Sequence, residues 1–219
     1  MTDGVAFDGS PVEIYRHLPA GPEIDLIDGA IGPASAILDL GSGTGRMTRA
    51  LIARGHRVTA VDNSAAMLAA LAGLPDVETV EADMLELELG RRFAVVLLAS
   101  HFVNTPAPEG PRFLETAARH VSADGAVLIE AYSNDLDWAA SVGRRSTIGP
   151  VGITVMEATV SGDHLDAVVA YDLGDRRWEQ PFNATLLDED GLRDLLARAG
   201  LRFDRWLDAA RTWLVATPA

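Results

Sequence analysis

The segment Asp39-Leu40-Gly41-Ser42-Gly43-Thr44-Gly45-Arg46 closes the apolar run Ile37-Leu38 and concentrates the chain's chemistry-bearing residues. Its D-x-G-x-G-x-G spacing lets a turn take positive φ at Gly41, Gly43 and Gly45 and present N–H groups to a polar ligand with no Cβ in the way. A helix expected from Arg46 would open with unpaired N–H groups that favour negative charge. Asp62 ends a second apolar run, Val58-Thr59-Ala60-Val61, 23 residues beyond Asp39, which is the interval of one strand–helix–strand unit. A carboxylate there can accept two hydrogen bonds from a vicinal diol, a charged interaction contributing roughly 1.5 to 3 kcal/mol, or it can serve the next helix as an N-terminal acid. Asp83 follows the third run and His101 the fourth. An imidazole in that place can take a proton from a phenol, a hydroxyl or an ammonium. It can equally shape a pocket as a hydrogen-bonded ring, or lie in the core.

Strands and helices must alternate to bring these residues together. Strand-like Ile37 to Leu40, helix Arg46 to Arg54, strand Arg57 to Val61, helix Ala65 to Leu71, strands Val77 to Ala82 and Phe93 to Ala99, helix Glu109 to His120 and strand Ala126 to Tyr132 follow in order. Gly55 ends the first of these helices, Ser64 caps the second, and an Asp124-Gly125 turn precedes the fifth strand. The alternation predicts an α/β, doubly wound, mainly parallel sheet, with ligands at the carboxyl ends of its strands. Ahead of it, residues 1–34 read as two short helices broken between Pro19 and Pro22. After Tyr132 the pattern turns β-rich, with tight turns at Gly162-Asp163 and Gly174-Asp175 that predict an antiparallel ribbon over about 150–187. A helix from Glu189 to Ala199 and two last strands close one domain spanning 1–219.

The glycine loop and its acid resemble the first motif of the class I S-adenosylmethionine-dependent methyltransferases. The nicotinamide and flavin fingerprint needs a small residue at Arg46 and so fails there. The resemblance implies a seven-stranded sheet with its last hairpin reversed, and an acceptor cover where the ribbon falls. It implies S-adenosyl-L-methionine as cofactor, with Asp39, Gly41, Gly43 and Gly45 at the methionine end and Asp62 with Asn63 at the ribose. Asp83 and the Met84 N–H fall at the adenine, Ser100 at the end of the fourth strand, and Tyr15 or Arg16 beside Asp39 as a donor from the N-terminal helix. Met67 either packs on the adenine or fills the core.

On the acceptor side the fourth strand delivers Ser100-His101-Phe102-Val103-Asn104, so His101 is the candidate catalytic base, and Asn104 a residue that holds the acceptor or the loop. Tyr132, Asn134 and Asp135 lie beyond the fifth strand, while Trp138, Trp178 and Phe182 could roof a small acceptor or simply build the ribbon. Ala99 and Ser100 stand where catechol methyltransferases place metal-binding carboxylates, so no metal is expected. The acid and proline pair that aligns exocyclic amines of bases is absent too. A formal charge of −14 repels phosphate backbones, which argues against nucleic acid. The chain contains no cysteine, no apolar run of membrane-spanning length and no basic, apolar leader at its start. A cytoplasmic enzyme methylating a small molecule at oxygen or nitrogen is the leading expectation. Methylation of a protein side chain, a binding protein that keeps the cofactor without transferring its methyl, and a nicotinamide oxidoreductase are the competitors.

Overall fold

The computed structural model describes residues 11–219, so the first part of the expected N-terminal helical region lies outside the described residues. Two short helices, α1 (Val12–His17) and α2 (Glu23–Ala30), precede the sheet and flank the expected break. Parallel strands β1 (Ala36–Leu40), β2 (Arg57–Asp62), β3 (Val77–Glu81), β4 (Phe93–Leu98) and β5 (Val121–Glu130) follow, joined by α3 (Arg46–Ile52), α4 (Ala65–Leu68) and α5 (Glu109–His120). Their runs are apolar on both faces because both faces are covered. Leu38, Leu40, Val96 and Leu98 pack with α5 on one side, and Ile37, Val95 and Leu97 pack with α2 and α3 on the other.

The chain closes with α7 (Glu189–Arg198) and the hairpin β10 (Leu201–Trp206) and β11 (Trp213–Pro218), where β11 runs antiparallel to β5. The sheet order β10-β11-β5-β4-β1-β2-β3 makes it seven-stranded with a reversed last hairpin. Successive strands step outward from β1 through β2 to β3, and the chain then returns to place β4 on β1's other side. A crevice therefore opens above β1 and β4, at the strands' carboxyl ends.

Between β5 and α7 lie α6 (Trp138–Ser141) and a second antiparallel sheet of β6 (Arg145–Ile148), β7 (Val151–Ser161), β8 (His164–Leu173) and β9 (Arg176–Thr185). The tight turns at Gly162 and Gly174 fall where expected. The ribbon has a fourth strand, β6, that carries no burial signal because all four of its residues are exposed at the sheet edge. The Asp124-Gly125 pair also differs from expectation, since it lies inside β5 instead of before it. Pairing with β4 shifts register between Phe93 and Val95, and a Cβ on Gly125 would stand 2.7 Å from the Ala94 carbonyl oxygen. Glycine there permits a backbone approach at a bulge. Among the described residues no helix is long and apolar enough to cross a membrane.

Candidate active site

The glycine loop is bound to the end of β2. Ser42 N donates to the Val61 carbonyl at 2.9 Å and Gly43 N donates to Asp62 Oδ2 at 2.8 Å. Asp62 Oδ1 accepts from Ser64 N at 2.9 Å. A carboxylate offers about four acceptor positions, and these backbone donors use two while fixing its orientation. Gly41 and Gly45 both take left-handed φ, and a Cβ at either would collide, with the Phe102 ring and the Leu71 side chain respectively. The sequence therefore has no substitute for glycine at those two positions.

Asp39 is buried at 2% exposure and accepts from Thr48 Oγ1 at 2.6 Å. Burial pushes its carboxyl up to about 6, the Thr48 bond and the Arg46 charge pull it down, and Asp62 pushes it up again. A donor thus comes from α3, a partner the sequence had not pointed to. The reason is that α3 starts directly after the loop and turns its first-turn inward face onto the end of β1. The N-terminal helix also meets the loop through its backbone, where Thr44 Oγ1 donates to the Tyr15 carbonyl at 2.8 Å. Asp83 lies at the end of β3, beside Asp62, whose carbonyl accepts from Ala82 N at 3.1 Å. It is exposed and caps the short turn Met84–Glu86 by accepting from Leu85 N at 2.8 Å. Asn63 is exposed on the same rim, and Met67 and Met84 are both buried beneath it.

The side expected to meet an acceptor is built at the ends of β4 and β5. Ser100 and His101 hold left-handed φ values of 56° and 59° in succession, a conformation uncommon for residues with a side chain. Glu130 stabilises that turn, because Ser100 N donates to its Oε2 at 2.6 Å. The His101 ring stacks on Tyr132 with centroids 4.0 Å apart and planes 13° apart. Its Nε2 lies 3.9 Å from Glu130 Oε1, and Glu130 Oε2 lies 3.9 Å from Arg46, which pairs in turn with Glu23. Burial holds the imidazole below its usual range, Glu130 pulls it up and Arg46 pushes it down. Burial, with Glu130 and Tyr15 adding to it, lifts the Tyr132 phenol far above the usual range and keeps it neutral.

Trp138 meets Tyr132 edge-on at 5.1 Å and Phe182 of β9 lies 6.1 Å from Trp138, so two of the three expected roof aromatics join Tyr132 in one group. Trp178 lies instead under the Arg176 guanidinium, at 4.4 Å. Asn134 and Asp135 are exposed turn residues. Asn104 holds chain to chain: Oδ1 accepts from Tyr132 N at 3.0 Å and Nδ2 donates to the Thr185 carbonyl at 2.8 Å, at 1% exposure. A separate concavity of about 400 Å³, bordered by Glu157, Asp166 and Phe182, lies on the second sheet and away from the strand ends. Sequence reasoning missed Glu130, Arg46, Glu23 and Thr48 as parts of the site. Glu130 was open to detection, since an acid ending the apolar run Val127-Leu128-Ile129 parallels Asp39 and Asp62.

The loop has the room and the free polar group that a polar cofactor needs. Ser42 Oγ is buried without a hydrogen-bond partner, and a Cβ built on Gly43 meets nothing within 4 Å. A polar orphan beside open space over a glycine is what close approach of a polar ligand requires.

Residues 37–125 match a family model described as a methyltransferase domain. The cypemycin N-terminal methyltransferase of a Streptomyces species is 28% identical over 172 residues, which span 69% of this chain and 66% of that protein. The CcbJ methyltransferase of Streptomyces caelestis superposes with a TM-score of 0.75 at 19% identity, covering 98% of each chain. CalS10, an amino pentose methyltransferase of Micromonospora echinaspora solved with S-adenosylmethionine bound, gives 0.70 at 23% identity, covering 90% of this chain and 89% of its own. Residues 37–125 thus carry a sequence similar to a methyltransferase domain, and the chain as a whole has the fold of the S-adenosylmethionine-dependent methyltransferases it superposes on.

Proposed function

We propose that this chain transfers a methyl group from S-adenosylmethionine to an oxygen or nitrogen of a small molecule, without a metal. The observation that carries the reading is the convergence, above β1 and β4, of a glycine loop held by Asp62 with a histidine held at the end of β4. When bound, the cofactor supplies an electrophilic methyl on a positively charged sulfur. Asp62 would take the ribose diol, Asp83 and the Met84 N–H the adenine edge, and Asp39 and the glycine loop the methionine end. Asn63, Ser100 and Tyr15 line the same crevice in this reading. His101 would act as the base that takes the acceptor's proton. The segment 150–187 would cover the acceptor through Phe182, making 1–219 one working unit.

Nitrogen has the support of an N-terminal methyltransferase and an amino pentose methyltransferase among similar proteins. The first of these also keeps an amino group on a peptide in view as the alternative acceptor. Ala99 and Ser100 in place of carboxylates support metal independence, and the lack of cysteine supports a cytoplasmic setting.

Calorimetry and label transfer from methyl-labelled S-adenosylmethionine to a panel of small amines and phenols test the reading. S-adenosylmethionine should bind and nicotinamide dinucleotides should not. His101→Gln should lower turnover about 10²- to 10⁴-fold while cofactor affinity stays within a few fold. Tighter binding of a nicotinamide cofactor, or label that never leaves the bound cofactor, would sink it.

A further inference from the structure

Glu130 stands beside the proposed base, and its two oxygens are unequally engaged. Oε2 takes the Ser100 N–H at 2.6 Å, whereas Oε1 accepts no hydrogen bond among the described residues and stands 3.9 Å from His101 Nε2. That gap is too wide for a direct hydrogen bond. It suits two acceptors sharing one donor atom: a nitrogen about 2.8 Å from each would see them about 90° apart, within reach of two N–H bonds on one tetrahedral centre.

We propose that His101 Nε2 and Glu130 Oε1 form a two-point clamp for the ammonium of an amine acceptor, so that the substrate class is a primary or secondary amine and not an alcohol or phenol. The inference rests on the methyltransferase reading above. A hydroxyl has one proton and can satisfy only one of the two acceptors, leaving the other unpaired. A primary or secondary ammonium has at least two and satisfies both.

The local charges agree. The groups facing this point are Glu130 from β5, Arg46 from α3, Glu23 from α2, Tyr15 from α1, and Tyr132 beneath the imidazole. Two carboxylates stand against one guanidinium, which leaves a deficit of one positive charge. The stacked Tyr132 ring covers one face of the imidazole and the Glu130 side chain is 14% exposed, so the carboxylate's pull on a cation is only partly screened by water. The proton moves from the bound nitrogen to Nε2, which must therefore be the unprotonated nitrogen of the imidazole, and the nitrogen keeps the electron pair that attacks. Glu130 faces an ammonium before that step and an imidazolium after it, so its charge is balanced throughout.

The test uses the protein saturated with S-adenosylhomocysteine and two probes of equal shape, benzylamine and benzyl alcohol, titrated by calorimetry at neutral pH. The amine should bind roughly tenfold or more tightly, as expected of a charged hydrogen bond. Glu130→Gln, which keeps an oxygen for Ser100 N, should erase that preference while leaving S-adenosylhomocysteine affinity within a few fold. Glu130→Asp should retain it in part. Equal binding of the two probes by the unmodified protein, binding of neither, or a preference that survives Glu130→Gln overturns the clamp. Failure of S-adenosylhomocysteine itself to bind would instead overturn the methyltransferase reading.

Discussion

The seven-stranded sheet is covered by helices on both faces, whereas the four-stranded sheet leaves its β6 edge exposed, alternates buried with exposed residues only at the start of β8, and buries a single residue of β9. The two sheets therefore hold their parts of the site by different means. Asp39, Asp62 and His101 are fixed by a strand end and by bonds to residues close by in the fold. The second sheet reaches the site through one apolar cluster, in which Leu165, Ala167, Ala184 and Phe182 pack with Trp138 and Tyr132, and through the single side chain of Asn104, which bridges Tyr132 N and the Thr185 carbonyl. The cofactor half should accordingly survive damage to the cover, while the acceptor half should not.

Asn104→Ala gives the largest expected effect. It strands a backbone N–H and a carbonyl in a place where Asn104 itself is 1% exposed, at a cost of about 2 to 4 kcal/mol. For a domain of this size the Tm should fall by roughly 5 to 15 °C. In the fraction that stays folded, the acceptor KM should rise while cofactor affinity holds within a few fold. If cofactor affinity falls in step with acceptor KM, the two halves are not separate.

Asp62→Ala should do the converse. Its carboxylate both orients Gly43 N and Ser64 N and is assigned to the ribose, so its loss should weaken S-adenosylmethionine roughly tenfold to a hundredfold. Acceptor KM, measured at saturating cofactor, should change little. Unchanged cofactor affinity would remove Asp62 from the ribose.

What could be read from the chain follows the same division. The alternation of strands and helices was legible because it rests on local periodicity and on glycines whose spacing is short. Ser64 as a cap and Gly162 and Gly174 as turns were legible for the same reason. The Thr48 donor was not, because seeing it required knowing that α3 folds back over β1. Nor was β6, which buries nothing and so has no pattern to show. Asn104 was recognised as a holding residue, but its partners lie 28 and 81 residues away and only the tertiary fold brings them together. The Glu130, Arg46 and Glu23 network was hidden because it joins three elements distant in sequence.

The smallest expected effect is the most specific to the cofactor half. Asp39 has a carboxyl pushed up to about 6 from an ordinary value of 3.8, chiefly by burial. A raised acid pKa means that the folded state favours the protonated form. The stability this contributes is complete below pH 4 and is lost as pH rises through 6. Asp39→Asn imitates the protonated state, keeps an oxygen for Thr48 Oγ1 and does not titrate. Relative to the parent, the variant should therefore gain stability between pH 5 and pH 8 by about 1 kcal/mol, read from denaturant unfolding at the two values. The same substitution should weaken S-adenosylmethionine, because a buried acid that is costly to ionise in the empty site is repaid once a cationic ligand arrives. Binding to the parent near pH 6 should then release protons, visible as a calorimetric enthalpy that depends on the ionisation heat of the buffer, and the variant should lose that dependence. A stability difference that does not change with pH would mean that Asp39 is ionised at no cost, and that its burial has some purpose other than waiting for a positive charge.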